Sequence, residues 1–80
     1  MKKELAIKQI YDDFTSKIIL TDNEKDILLR YIRKDSIIKI ANDTNQGTTT
    51  VSRIIAEIKE KYYNYKQLEI AKLVLLQNNK

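Results

Sequence analysis

The 80-residue chain has no cysteine, no histidine, no proline and a single glycine. Without cysteine there is no disulfide and no cysteine-ligated zinc, and without histidine or a glycine-rich phosphate loop the usual nucleophile, base and phosphate cradle are missing. We therefore expect neither an enzyme nor a bound cofactor. The scarcity of proline and glycine favours helices joined by tight turns, so the expected fold is one all-α domain, a bundle of four to five helices.

Long apolar runs are also missing. The longest, Ile18–Leu20 and Leu73–Leu76, are far too short for a signal peptide or a membrane span, so we expect a cytoplasmic protein without a membrane partner.

The formal net charge is +4, from 15 basic and 11 acidic residues. This balance is compatible with a nucleic-acid partner, but no basic tail or block accompanies it. The net charge alone is therefore weak evidence for nucleic-acid binding.

Two helices are predicted in the first half of the chain. Apolar residues recur with the spacing of one helix face and predict a helix from Lys2 to about Ile19; they are Ile7, Ile10, Tyr11, Phe14 and Ile18. Thr21 and Glu24 then have the spacing of a capping box, which begins a second helix that reaches about Arg33.

Two more helix starts follow at short intervals. Ser36 is placed to cap a short third helix whose inner positions are Ile37, Ile40 and Ala41, and the polar segment 42–47 ends it. Gly47 is expected to turn the chain with a positive φ, and Thr48 or Thr49 to cap the fourth helix. The predicted buried stripe of that helix consists of Val51, Ile54, Ile55, Ile58 and Tyr62.

Short helices packed this closely, with one glycine between the last two, are typical of a helix-turn-helix, a motif that places its second helix in the major groove of DNA. The outward face of the fourth helix carries Arg53 among small and hydroxylated residues, and arginine can bond guanine bidentately. The alternative is an ordinary surface pair, because Glu57 lies four residues after Arg53.

A set of residues follows the order and spacing of the LuxR/GerE-type helix-turn-helix: Leu20-Thr21, Ile27-Leu28, Ser36, Ile40-Ala41, Thr50-Val51, Ile58, Lys61 and Glu69. The resemblance implies that the helix beginning near Thr48 is the recognition helix and that the last helix, near Lys66 to Gln77, is the dimer contact. It also implies base contacts from Ser52, Arg53 and Ala56 and backbone contacts from Ser36, Thr49 and Thr50. Thr44 and Gln46 depart from that family, which usually has a leucine and an isoleucine packing the turn.

We accordingly divide the chain into an N-terminal helix (1–19), a DNA-binding core (20–64) and a C-terminal dimerisation helix (65–77). The expected partner is double-stranded DNA, and the alternative is a protein-interaction module that binds RNA polymerase or another regulator. The predicted DNA-contact residues are Ser36, Lys39, Thr48, Thr49, Thr50, Ser52, Arg53, Ala56 and Lys59.

Apolar residues surround most of the segment 66–76, which favours a homodimer through Leu68, Leu73 and Leu76. The operator would then be an inverted repeat with half-sites about 34–36 Å apart. The alternative is that the first helix covers the second apolar side within one chain.

Tyr62, Tyr63 and Tyr65 form an aromatic cluster, in which we expect Tyr62 in the core and the other two at the edge of the last helix.

Overall fold

The computed structural model describes the backbone of residues 1–78 and the side chains of residues 1–76. In this part of the chain, 82% of residues are helical, in five helices without strands. The bounds are α1 Lys2–Leu5, α2 Lys8–Lys17, α3 Asp22–Ile32, α4 Ile37–Thr44 and α5 Thr48–Asn78. The all-α prediction is therefore confirmed, with five as the number of helices.

The core lies where α2, α3 and α4 pack against α5, while α1 packs against α2 and α3. It includes every member of the predicted α5 stripe, which confirms that prediction, together with one or two large side chains from each of the shorter helices. The buried apolar residues are Leu5, Phe14, Leu20, Ile27, Leu28, Ile40, Ala41, Val51, Ile54, Ile55, Ile58, Tyr62 and Tyr65.

The prediction of one helix from Lys2 to Ile19 is wrong, because the chain leaves helical geometry at Ile7, where φ is −83° and ψ is 120°. In an unbroken helix Leu5 would lie about 180° from Phe14, nine positions later. The break lets both side chains enter one core, with Leu5 2% and Phe14 0% exposed. Ile7, predicted to face the core, is instead half exposed.

The expected separation of a recognition helix from a C-terminal helix at residues 64 and 65 is also wrong. α5 continues without interruption for 31 residues, or about 46 Å. The segment contains neither proline nor glycine, and Tyr62 and Tyr65, one turn apart, both pack on Phe14 with ring centroids 5.3 Å away. These contacts hold the helix in register across the expected boundary.

The predicted caps of α3 and α4 are confirmed. Thr21 Oγ1 accepts the amide of Glu24 at 3.1 Å, and Glu24 Oε1 accepts the amide of Thr21 at 2.9 Å. Ser36 Oγ accepts the amide of Lys39 at 3.1 Å. These two caps fix where α3 and α4 begin.

The turn before α5 differs from the prediction. Gly47 does not have a positive φ; the left-handed residue is Asn45, with φ 55° and ψ 44°. The amide of Gln46 donates to the Ala41 carbonyl at 2.9 Å, as in a Schellman cap. Asn45 thus reverses the chain two residues before Gly47, and three residues join α4 to α5.

Candidate nucleic-acid interface

The first half of α5 has one exposed side opposite its buried stripe. Thr49, Ser52, Arg53, Ala56 and Lys59 are all exposed on it. Their spacing of three and four residues places them on neighbouring turns of one helix face. Five of the nine predicted DNA-contact residues therefore share one continuous surface, which we call the α5 face.

The beginning of α5 is also accessible. Thr48 is exposed, and the Gly47 carbonyl accepts the amide of Val51 at 3.0 Å. No acidic residue lies in the first turn of α5. The partial positive charge of this helix end is therefore not neutralised by its own carboxylates, which favours an anion there.

Thr50 does not join the other predicted residues on the α5 face. Its side chain is half buried, and its position lies about 120° around the helix from Ala56. A helix that presents Ser52 and Ala56 to a ligand therefore turns Thr50 toward a different side. This leaves Thr48 and Thr49 as the accessible threonines of the first turn.

The first turn of α4 supplies Ser36 and Lys39, and both are exposed. Ser36 Oγ accepts the amide of Lys39 as the cap of α4, but the hydroxyl hydrogen of Ser36 can still be donated to a ligand. Lys39 Nζ lies 2.6 Å from Asp43 Oδ2, and the same oxygen is 3.4 Å from Arg30 Nη1. Asp43 thus neutralises part of the charge predicted to attract DNA. The four-residue spacing from Lys39 to Asp43 is a signal from which this pair could have been predicted.

The pairing of Arg53 with Glu57 occurs in the structure, with Arg53 Nη1 3.5 Å from Glu57 Oε1. Glu57 and Glu60 are exposed, as are Arg53 and Lys59. Two cations therefore stand beside two carboxylates along this part of α5. The α5 face therefore has hydrogen-bond donors and small side chains that let a ligand approach the helix closely, but it has little net positive charge.

Hydrogen bonds between the side-chain amides of Asn23 and Gln46 link the beginning of α3 to the turn before α5. Asn23 Nδ2 donates to Gln46 Oε1 at 3.1 Å, and Gln46 Nε2 donates to Asn23 Oδ1 at 3.1 Å. Polar bonds thus replace the apolar packing implied by the resemblance at Gln46. The two amides are 23 residues apart, so no local pattern in the sequence indicates the pair.

A second polar link joins α3 to the middle of α5. Lys61 Nζ donates to Glu24 Oε2 at 2.9 Å, and Glu24 is only 8% exposed. Burial raises the pKa of Glu24, but the Thr21 amide and the Lys61 ammonium outweigh that effect, and the net pKa lies below its usual range. Glu24 therefore stays ionised, caps α3 and positions α5 at the same time.

Two of the three tyrosines in the segment 62–65 belong to the core. Tyr62 and Tyr65 flank Phe14, and their hydroxyls donate to Glu4 and Asp13 respectively. The expected edge position of Tyr65 is wrong, since only 6% of it is exposed. Burial and the bond to Glu4 raise the pKa of Tyr62, and the bond to Asp13, with burial, raises that of Tyr65 to about 12.

Tyr63 is the exposed member of the cluster, with 63% of its surface accessible. One exposed ring does not make the series of stacking platforms on which single-strand binders rely. Tyr62 and Tyr65 therefore serve packing, and the α5 face remains the candidate site.

Other classes of site have little support in the described residues. There, no group of three or more aspartates or glutamates is placed to hold a metal ion. In the same part of the chain, none of the helices combines the length and apolar character that crossing a bilayer demands.

No protein-family model matches the chain, and no significant similarity connects it to a curated protein or to a solved structure. The resemblance to the LuxR/GerE type therefore depends on the matched residues alone.

Proposed function

We propose that α4 and α5 form a helix-turn-helix and that the protein is a cytoplasmic transcriptional regulator that binds double-stranded DNA. The first half of α5 would enter the major groove. The observation that carries the proposal is the α5 face itself: small, hydroxylated and basic side chains, all exposed, directly after a short turn and opposite a fully packed stripe.

Each part of this surface has a role in DNA binding. Arg53 would donate two hydrogen bonds to a guanine, and Ser52 would donate to or accept from a neighbouring base or phosphate. Ala56 has only a methyl group, which lets the helix approach the base edges. The amides at the beginning of α5 and the hydroxyls of Thr48 and Thr49 would bind a phosphate and fix the orientation of the helix.

One observation favours the alternative, a protein-interaction module that binds RNA polymerase or another regulator. Arg53 and Lys59 stand beside Glu57 and Glu60, so this part of α5 has no net charge. Surfaces that bind DNA through phosphates are normally strongly positive. We prefer DNA because the helix end and the residues Thr49, Ser52 and Ala56 suit close approach to a groove without any excess of charge.

The two functions respond differently to salt. We expect fluorescence anisotropy with a duplex selected from a random library to show affinity that falls linearly on a log–log plot as salt rises. Three phosphates neutralised by one protomer would give a slope of about −3. The absence of any duplex preferred over random DNA, at every salt concentration, would contradict DNA binding and favour the protein-interaction module.

A matched pair of variants links the binding to the α5 face. Ser52→Glu places a carboxylate on that face, whereas Ser16→Glu adds the same charge at another exposed serine, on α2. We expect Ser52→Glu to abolish specific binding and Ser16→Glu to change it only slightly. Equal losses would show that only the total charge matters.

A further inference from the structure

The short helix α1 holds an exposed lysine over an aromatic ring of α3. Leu5 is buried in the core and Met1 packs against the core, so the chain is anchored on both sides of Lys2. Lys2 itself is exposed, and its Nζ lies 4.2 Å from the centroid of the Tyr31 ring. The packing of α1 therefore gives this ammonium group a defined place on the surface.

A second lysine approaches the same ring from α5. Lys59, the last member of the α5 face, has its Nζ 5.6 Å from the Tyr31 centroid. Because both distances are measured to one point, the two ammonium groups lie at most about 10 Å apart. The negative face of an aromatic ring attracts cations, which offsets the repulsion between these like charges. Two cations from distant parts of the chain thus converge on one half-buried tyrosine.

These two cations are not neutralised by carboxylates of the described side chains. Among the ion pairs in that part of the chain, none includes Lys2 or Lys59, although the exposed Glu60 follows Lys59 directly. Lys39 and Arg53, by contrast, each have a carboxylate partner. Ammonium groups brought together in this way favour the binding of a polyanion.

We propose that Lys2 and Lys59 bind the phosphodiester backbone of duplex DNA beside the groove that α5 enters, so that α1 belongs to the DNA interface. This inference depends on the proposed function for the placement of α5. Lys59 comes seven residues after Ser52, which places it about 20° away around the helix and about 10 Å further along it.

That spacing matches the dimensions of the groove. The residues near the N-terminus of a docked recognition helix contact base edges. The major groove is about 12 Å wide, so a side chain two turns further along the helix reaches the phosphates that border it. Lys2, beside Lys59, then lies at the neighbouring phosphates of the same strand.

The two lysines account for binding by a surface that has little net charge of its own. Glu57 and Glu60 offset the charges of Arg53 and Lys59 on the α5 face, and Lys2 adds a positive charge from another helix. An ammonium group binds phosphate as a point charge and does not read the base sequence. We therefore expect the lysines to strengthen binding to every duplex, while other residues of the α5 face select the sequence.

Lys3 is the matched control for Lys2. Both are exposed on α1 and have no ion pair among the described side chains, but only Lys2 lies over Tyr31. Releasing one counterion fewer lowers affinity about eightfold at 0.1 M salt and makes the log–log salt slope shallower by about 1. We expect this loss from Lys2→Gln on selected and random duplexes alike. Lys3→Gln should change affinity by less than about twofold.

Lys2→Arg should retain the affinity and the slope, because arginine keeps the charge and also stacks on aromatic rings. The variants are compared by anisotropy titrations at several salt concentrations, with thermal melting to show that each is folded. Equal effects of Lys2→Gln and Lys3→Gln, or an unchanged slope for Lys2→Gln, would overturn this inference while specific binding by the α5 face stood. A chain that prefers no duplex but binds random DNA through Lys2 would contradict the proposed function alone. Binding to no duplex at any salt concentration would overturn both.

Discussion

Replacing Arg53 by alanine separates base recognition from an ordinary surface role. The side chain is 64% exposed, and its contact within the described chain is the ion pair with Glu57 at 3.5 Å. An exposed i, i+4 pair of this kind contributes about 0.3–0.5 kcal/mol. The free energy of unfolding should therefore fall by no more than about 0.5 kcal/mol.

The expected loss of DNA affinity is much larger. A bidentate contact with guanine is worth about 1–3 kcal/mol, which corresponds to roughly a 5- to 150-fold rise in Kd. The loss should be confined to the duplex that carries that guanine. Binding to random DNA should weaken only slightly, because one phosphate-attracting charge is lost from several.

Glu57→Gln is the matched control at the other end of the same pair. It releases Arg53 and removes a negative charge near the DNA, at a cost of the same few tenths of a kcal/mol in folding. We expect Kd to fall by about twofold on specific and random duplexes alike. The two variants thus change affinity in opposite directions while their stabilities remain almost equal.

Anisotropy titrations on the selected duplex, on a duplex with one guanine replaced and on random DNA measure all three quantities. If Arg53→Ala loses the same factor on every duplex, Arg53 contacts phosphate and the assignment of base recognition is refuted. If no duplex distinguishes Arg53→Ala from the unaltered chain, the α5 face does not bind DNA through this residue at all.

Three further predictions concern folding and can be measured by urea denaturation. Phe14→Ala should lower the free energy of unfolding by about 3–5 kcal/mol, because the ring is fully buried; a loss below 1 kcal/mol would contradict its central place in the core. Glu24, whose pKa is lowered in the folded state, stabilises the protein above its ordinary pKa of 4.5, and this contribution is lost as pH falls through the folded value. Glu24→Gln should therefore flatten the acid side of the stability profile; an unchanged profile would assign that slope to other carboxylates. Lys34→Gly should raise the free energy of unfolding by up to about 1 kcal/mol, because Lys34 has a φ of 73°; a decrease would show that its side chain stabilises α3.

The Thr21–Glu24 box and the Ser36 cap could be predicted from the sequence because a cap is a contact between residues three apart. The same holds for the buried stripe of α5 and for the Arg53–Glu57 pair, which depend on helix periodicity alone. The spacing of residues along the chain can be read directly from the sequence, so these features could be predicted from it. The α5 face, as the complement of that stripe, was determined in the same way.

The break at Ile7 and the unbroken course of α5 were decided by tertiary packing. Local periodicity favoured one helix through residues 2–19, but burying Leu5 beside Phe14 requires a change of direction that no spacing rule contains. α5 passes residues 64 and 65 because Tyr62 and Tyr65 share Phe14, a contact with a residue about fifty positions earlier.

The position of α5 relative to the rest of the molecule was likewise decided by distant contacts. Gln46 meets Asn23, and Lys61 meets Glu24, both across more than twenty residues. The sequence determined which side chains form the α5 face and how they are ordered, because helix geometry alone sets that order. The tertiary structure decided how that face is held, because its position depends on residues that meet only after the chain has folded.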